Sequence, residues 1–147
     1  MLSEQGSKNF GAYLDRTLRV VRLDLFRRFK EIGVDITPEQ WIIISSLYKK
    51  NGQSQSDLGA LSFKNAPTIS RIIDLLCEKG LTVRERFDGE KRRYKVVLTE
   101  KGVEMVEQVL PEILISREEG WEGLSDEDYN HFMRILNQIF ENLKAKN

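Results

Sequence analysis

Residues 65–98 read NAPTISRIIDLLCEKGLTVRERFDGEKRRYKVVL, and their hydrophobic period changes from that of a helix to that of a strand at Gly80. Before Gly80, apolar side chains recur every three or four residues, which predicts a helix from Ala66 to Lys79. Asn65 is a good N-cap for this helix, and Gly80 suits the left-handed residue that follows a last helical turn. We therefore expect a helix that buries one face and presents a polar one.

The residues after Gly80 predict a β-hairpin with a basic tip. Apolar and polar side chains alternate from Leu81 to Phe87 and again from Tyr94 to Leu98. Asp88-Gly89, between the two runs, is a strong turn signal. The same loop holds three consecutive cations, namely Lys91, Arg92 and Arg93.

Upstream of this stretch, capping signals predict two further helices. Residues 37–40, TPEQ, combine an N-cap, a proline for the first turn and a capping-box glutamine ahead of the apolar run Trp41–Ile44. Ser54, with Asp57 three residues later, starts a short helix that Gly59 weakens by about 1 kcal/mol relative to alanine. The resulting order of helix, short helix, helix and hairpin is typical of a winged helix-turn-helix.

This order favours a DNA-binding protein. A recognition helix needs an apolar face that seats it, and small polar and arginine side chains near its N-terminus that reach base edges. A wing needs cations that reach the DNA backbone or the minor groove. The candidate DNA contacts are Asn65, Pro67, Thr68, Ser70 and Arg71 in the recognition helix, Ser54 and Gln55 in the first helix of the motif, and Lys91, Arg92 and Arg93 in the wing. The competing interpretation of Thr68, Ser70 and Arg71 is a solvent-facing helix surface that binds nothing.

The regions on either side of the motif predict long helices that form a homodimer. A helix from Lys8 to Ile32 is apolar on more than one face, and Phe10–Phe29 and Ile135–Leu143 carry more apolar surface than one small core absorbs. Thr99 caps a fifth helix, which Pro111 is expected to kink or shorten, and Ser125 with Asp128 caps a sixth. We expect residues 1–36 and 100–147 to be dimerisation helices and residues 37–99 to be the winged helix-turn-helix.

The charge distribution is asymmetric although the chain of 147 residues has a formal net charge of zero. Residues 1–98 hold 18 Lys and Arg against 12 Asp and Glu, a net charge of +6, and residues 99–147 hold 5 against 11, a net charge of −6. A basic amino-terminal part is suited to a polyanion such as DNA. The alternative is that these charges only solvate helix surfaces.

The composition argues against several other classes of protein. The single cysteine, Cys77, forms no internal disulfide, which favours a reducing cytoplasm, and we interpret it as a packing residue. His131 has neither a second histidine nor a cysteine nearby, so we expect no metal site and no cofactor. The sequence has no apolar run long enough for a membrane span and no signal-peptide core in Met1–Asn9. It also lacks a glycine-rich phosphate loop and a nucleophile–base pair, so we expect no enzyme.

The motif stretches resemble the multiple-antibiotic-resistance regulator (MarR) family of bacterial transcription factors. The similarity includes residues 37–41, the helix of Ser54–Leu61, residues 67–71, residues 79–84, and the positions Asp88, Arg92, Arg93 and Leu98 to Gly102. This resemblance, which covers essentially the whole chain, implies a homodimer whose two winged lobes grip a near-palindromic duplex. It also implies an ion pair between Asp88 and Arg93 in the wing. Glu90 and Lys91 stand where the family usually has Arg and Asp, and Gly59 replaces a usual alanine.

The sequence and the resemblance together predict a sequence-specific, DNA-binding transcriptional regulator. We expect a homodimeric repressor of a pseudo-palindromic operator that responds to a small aromatic or lipophilic effector. Candidate residues of the effector pocket are Phe29, Trp41 and Tyr48, although aromatic residues at helical spacing also occur in cores. The alternative function is a winged-helix module that binds proteins and not DNA.

Overall fold

The computed structural model describes residues 7–62, 64–90 and 92–147. Its elements are α1 Phe10–Glu31, α2 Pro38–Lys49, β1 Gln53–Ser54, α3 Gln55–Ser62, α4 Ala66–Glu78, β2 Thr82–Arg86, β3 Tyr94–Leu98, α5 Glu100–Gly120 and α6 Asp126–Lys144. The chain divides into two compact units, Met1–Leu114 and Ile115–Asn147. The predicted fold class, mainly helical with a small β-structure and a winged helix-turn-helix, is confirmed.

The helices of the motif begin where the capping residues predict. Thr37 Oγ1 accepts the backbone N–H of Gln40, whose side chain accepts the N–H of Thr37 in return, so the capping box of α2 is complete. Asn65 Oδ1 accepts the N–H of Thr68 at 2.9 Å at the start of α4. These bonds satisfy N–H groups that have no partner inside the helix, and they fix the chain direction at both helix starts.

The sheet has three antiparallel strands in the order β1-β3-β2, one more than the predicted hairpin. β2 and β3 pair from Thr82↔Leu98 to Arg86↔Tyr94, as the alternation predicts. The additional strand β1 is only two residues long, and it pairs Gln53 with Val96 on the far edge of β3. β1 therefore attaches the start of α3 to the wing.

A single apolar core holds α1, α2, α3, α4 and the start of α5 against the sheet. Its members lie between residues 29 and 113: Phe29, Val34, Ile36, Trp41, Ile43, Ile44, Leu47, Leu58, Ile69, Ile72, Ile73, Leu76, Leu81, Val96, Met105, Val106, Val109 and Ile113. The predicted stripe of the recognition helix, which runs from Ile69 to Leu76, is fully or almost fully buried. This burial seats α4 so that its other face points away from the core.

The junction between α4, β2 and α5 is unusually close. Gly80 has φ +74°, and the backbone N–H groups of Gly80 and Leu81 return to the last turn of α4. Thr99 donates its backbone N–H to Leu81 O at 3.1 Å and its hydroxyl to Gly80 O at 2.6 Å. Gly102 in the first turn of α5 lies against Leu81, where a Cβ atom would overlap the Leu81 carbonyl oxygen. The start of α5 is therefore clamped to the chain that leaves the recognition helix.

The terminal helices differ in how much of their surface is buried. Within Met1–Leu114, Arg28 on α1 is buried and pairs with Asp24 at 2.8 Å and with Glu112 of α5 at 3.6 Å. Pro111 does not end α5, which continues to Gly120, so the expected shortening is wrong. A proline removes one helical hydrogen bond but leaves the remaining ones to carry the helix past it.

Within Ile115–Asn147, α6 begins at the predicted capping box. Ser125 Oγ accepts the N–H of Asp128, and hydrogen bonds from the backbone and side chain of Ser125 lower the pKa of Asp128. Trp121 donates its indole N–H to Ser125 O and packs against Tyr129 at a ring-centroid distance of 5.6 Å. α6 has no buried residue although it carries a continuous apolar stripe.

Candidate nucleic-acid interface

The recognition helix α4 presents its N-terminal turn and one polar face to solvent. Asn65, Pro67 and Arg71 are exposed, and Thr68 and Ser70 are half-buried beside them. Asn65 acts as the N-cap, so its carboxamide oxygen is occupied by the N–H of Thr68. The first turn of α4 combines a positive dipole end with small side chains, which is the arrangement that approaches a phosphate backbone closely.

Arg71 is the only arginine on α4, and its guanidinium is available for a ligand. Its side chain is exposed, and it forms no ion pair with another described residue. A guanidinium fork in this state binds two acceptors in one plane, such as O6 and N7 of guanine.

At the start of α3, the two predicted contact residues differ in their surroundings. Ser54 is only 8% exposed, and its hydroxyl accepts the N–H of Asp57 at 3.0 Å. Hydrogen bonds from the side chain and backbone of Ser54 lower the pKa of Asp57. The Ser54 side chain thus caps the start of α3, and its contact with DNA stays a prediction. Gln55 is half-buried and keeps its candidate role.

The wing loop, residues 87–93, is closed by two backbone bonds. Phe87 donates its N–H to Arg93 O, and Glu90 donates its N–H to Phe87 O around Gly89, which has φ +77°. The Arg93 guanidinium lies 4.6 Å from the Phe87 ring centroid and 3.7 Å from the Glu90 carboxylate. These contacts hold the base of the wing.

The predicted ion pair of the wing is wrong in its acidic partner. Arg93 pairs with Glu90, three residues before it, and Asp88 forms no ion pair with any described residue. The turn at Gly89 brings Glu90 back toward Arg93, which explains the exchange. Arg92 is exposed and forms no ion pair within the described part of the chain. Lys91, the third predicted wing cation, lies outside the described residues.

An ion pair that the sequence does not predict joins the recognition helix to the wing. Arg84 on β2 donates from Nη2 to Asp74 Oδ1 on α4 at 2.6 Å. Arg84 also lies 3.9 Å from the sulfur of Cys77, which is 3.3 Å from Thr82 Oγ1. The alternation of side chains along β2 places Thr82 and Arg84 on the sheet face toward α4. This alternation is the sequence pattern that indicates the pair.

The three predicted effector-pocket residues do not line one cavity. Phe29 and Trp41 pack in the core with ring centroids 6.5 Å apart, and Tyr48 is 44% exposed. A cleft of about 380 Å³ lies instead between α1 and the start of α2. It is lined by Asp15, Leu18, Arg19, Arg22, Leu23, Phe26, Thr37, Pro38 and Glu39.

The described residues contain neither a candidate metal site nor a helix that could span a membrane. No group of three or more His, Cys, Asp or Glu residues there is arranged to hold a metal ion, and His131 is exposed. None of the helices in that part of the chain is long and apolar enough to cross a membrane.

Comparison with known proteins finds a family model that matches this part of the chain. Residues 34–93, from the loop before α2 to the wing, match the model of the MarR family. The resemblance found in the sequence is thereby confirmed for the segment that contains the recognition helix and the wing.

Solved structures of MarR proteins share the whole fold. A MarR protein from Peptoclostridium difficile DA00132 is 19% identical, with a TM-score of 0.86, over 99% of this chain and 94% of that one. AbsC, a MarR family transcriptional regulator from Streptomyces coelicolor, is 23% identical, with a TM-score of 0.84, over 99% and 98%. The PcaV transcriptional regulator from the same organism, solved in complex with its natural ligand, is 18% identical, with a TM-score of 0.81, over 96% and 98%. The chain thus has the fold of MarR-family transcriptional regulators.

Proposed function

We propose that the chain is a sequence-specific, DNA-binding transcriptional regulator that acts as a homodimeric, ligand-responsive repressor of a pseudo-palindromic operator. The observation that carries this proposal is the pair of exposed cations, Arg71 on α4 and Arg92 in the wing, neither of which forms an ion pair with a described residue. A repressor of this kind acts by covering its operator, which requires affinity and position but no catalytic group.

The two cations suit different parts of a duplex. Arg71 extends from the exposed face of a helix seated by four buried apolar residues, which suits base edges in the major groove. Arg92 lies in the loop between two strands, which suits phosphates or the minor groove next to the site. A winged helix that binds only proteins has no need of both, so we do not favour that alternative.

The test of DNA binding is selection of bound sites from a randomised duplex library, followed by affinity measurements at several salt concentrations. A DNA-binding regulator is expected to enrich an inverted repeat and to show a log K that falls linearly with log salt. A purified protein that enriches no site and elutes from heparin at low salt would contradict the function.

The exposed apolar surface of the terminal helices supports a homodimer. On α1, exposed apolar residues are Phe10, Tyr13, Leu14, Leu18, Val20, Val21 and Leu23. On α6 they are Tyr129, Phe132, Ile135, Phe140 and Leu143. Obligate interfaces resemble a protein core cut in half, and a helix with an apolar stripe and no buried residue needs a partner. Phe29, within the predicted dimerisation region, is instead part of the core.

We expect light scattering at micromolar concentration to give about twice the chain mass of 17.1 kDa. Ile135→Glu should lower this mass, because it places a charge in the apolar stripe of α6. Leu61→Glu is the matched control, since Leu61 is 61% exposed on α3 and should tolerate the same change. A folded, stable monomer of the unmodified protein would contradict the dimer.

We assign the effector to the cleft between α1 and α2, in place of Phe29, Trp41 and Tyr48. Leu18, Leu23, Phe26 and Pro38 supply an apolar lining, and Arg22 is a half-buried cation beside it. This lining suits a small aromatic or lipophilic acid. α1 lies in the proposed dimer region, and α2 belongs to the winged helix-turn-helix. A ligand bound between them is therefore placed to change the affinity for DNA. A ligand that binds the cleft and leaves the affinity for DNA unchanged would contradict this regulation.

Arg92→Ala is expected to weaken binding to specific and random duplexes alike, because a wing cation contributes mainly charge. The slope of log K against log salt should flatten by about one unit per lobe. Arg92→Lys retains the charge and should retain the slope, so it is the matched control. A loss confined to the specific duplex would show that Arg92 reads sequence.

A further inference from the structure

We propose that Arg84 is a positioning residue for DNA recognition. It neutralises Asp74 on the recognition helix, and it thereby keeps Arg71 free to bind bases. This inference rests on the proposed function, since it concerns how the same helix binds DNA.

The contact between Arg84 and Asp74 is short and directional. Arg84 Nη2 donates to Asp74 Oδ1 at 2.6 Å, and the side chains of Arg84 and Asp74 are 32% and 58% exposed. Arg84 is further held by the sulfur of Cys77, 3.9 Å from Nη1, on the same helix. The guanidinium is therefore directed at α4, although about a third of the side chain is open to solvent.

The position of Asp74 makes this neutralisation matter. Asp74 follows Arg71 by three residues on α4, and both side chains are exposed. Residues three apart in a helix are neighbours, so an Asp74 carboxylate without Arg84 would pair with Arg71. It would also place an uncompensated negative charge on the helix face that approaches phosphates. Both effects oppose DNA binding, and both vanish when Arg84 occupies the carboxylate.

Two other roles for Arg84 give different results on mutation. A tether that holds the wing against α4 needs both partners, so removing Asp74 would be as harmful as removing Arg84. A direct contact of Arg84 with DNA would be lost in any variant without the guanidinium, whatever stands at residue 74. Only neutralisation predicts that the loss of Arg84 is reversed by removing the Asp74 charge.

The experiment measures affinity for the duplex that wild-type protein selects from a randomised library. Arg84→Gln should weaken binding by about twofold to thirtyfold over two lobes, the range set by the energy of surface ion pairs. The double variant Arg84→Gln with Asp74→Asn should recover to within about twofold of Asp74→Asn alone. Asp74→Asn alone should bind at least as tightly as wild type. Arg84→Lys keeps the cation and should bind close to wild type.

Arg86→Gln is the matched control. Arg86 lies two residues further along the same face of β2, 5.7 Å from the Tyr94 ring, and forms no ion pair with a described carboxylate. Its effect on affinity should not change when Asp74→Asn is added. Circular dichroism and thermal melting establish that each variant is folded.

The proposal is overturned if Arg84→Gln binds as wild type does, or if the double variant is as weak as Arg84→Gln. It is also overturned if Asp74→Asn alone loses affinity, a result that does not depend on whether Arg84→Gln folds. Wild-type protein that selects no duplex would instead contradict the proposed function itself, so the two failures are distinguishable.

Discussion

Arg71→Ala is expected to reduce the affinity for the selected operator by about 30-fold or more, since a bidentate arginine–guanine contact discriminates by about 1–3 kcal/mol and a palindrome contains two such contacts. The affinity for random duplex should fall far less, because phosphate contacts elsewhere persist. The reason lies in the geometry: Arg71 is exposed on a helix whose other face is buried, and it has no ion pair with a described residue. The measurement is a fluorescence anisotropy titration of both duplexes at one salt concentration.

Two variants separate base reading from simple charge loss. Arg27→Ala removes an exposed arginine on α1 that is paired with Asp24 and Glu31, so it controls for the loss of one positive charge. Arg71→Lys keeps the charge but loses the planar fork, so it should retain binding to random duplex and lose much of the preference. An equal loss on specific and random duplexes for Arg71→Ala would show that α4 does not read bases.

Local signals were sufficient to predict most element boundaries. The N-caps Thr37, Ser54 and Asn65 and the glycine at residue 80 each act within four residues of the chain, so the sequence displays them directly. Strand β1 could not be predicted in this way. It is two residues long, too short to show a period, and it exists because Gln53 pairs with Val96, forty-three residues later in the chain.

In the candidate site too, local signals predict some features, and contacts formed only by folding determine the others. That Arg71 would be exposed followed from the helical period, because the apolar stripe is on the other face. The partner of Arg93 did not follow, since it depends on how the turn at Gly89 returns the chain. For Phe29 and Trp41 the sequence does not separate a pocket from a core, because an aromatic residue at helical spacing has the same pattern in both. Only the tertiary packing distinguishes the two.

Gly102 is another position whose constraint comes from tertiary packing, and its substitution gives the largest expected loss of stability. Gly102→Ala should lower the free energy of unfolding by about 3 kcal/mol, the upper end of the usual range for an overpacked core. The added Cβ would overlap the Leu81 carbonyl oxygen and lie 3.2 Å from Leu98 Cδ2. The Leu81 oxygen cannot move away freely, because it accepts the N–H of Thr99. Urea unfolding at a fixed protein concentration measures the change, provided that the slope with denaturant is unchanged.

Gly59→Ala is the matched control for this prediction, because it adds the same methyl group to another helix. There the new Cβ meets Lys64 O at 3.5 Å and Ile69 Cγ1 at 3.7 Å, which are ordinary contacts. Gly59→Ala should therefore raise the free energy of unfolding by up to about 1 kcal/mol, the difference in helix propensity. The opposite signs of the two substitutions follow from one difference: Gly102 lies against a hydrogen-bonded backbone oxygen, and Gly59 has room for a side chain. If both substitutions stabilised the protein, the clamp between α5 and the end of the recognition helix would not exist as described.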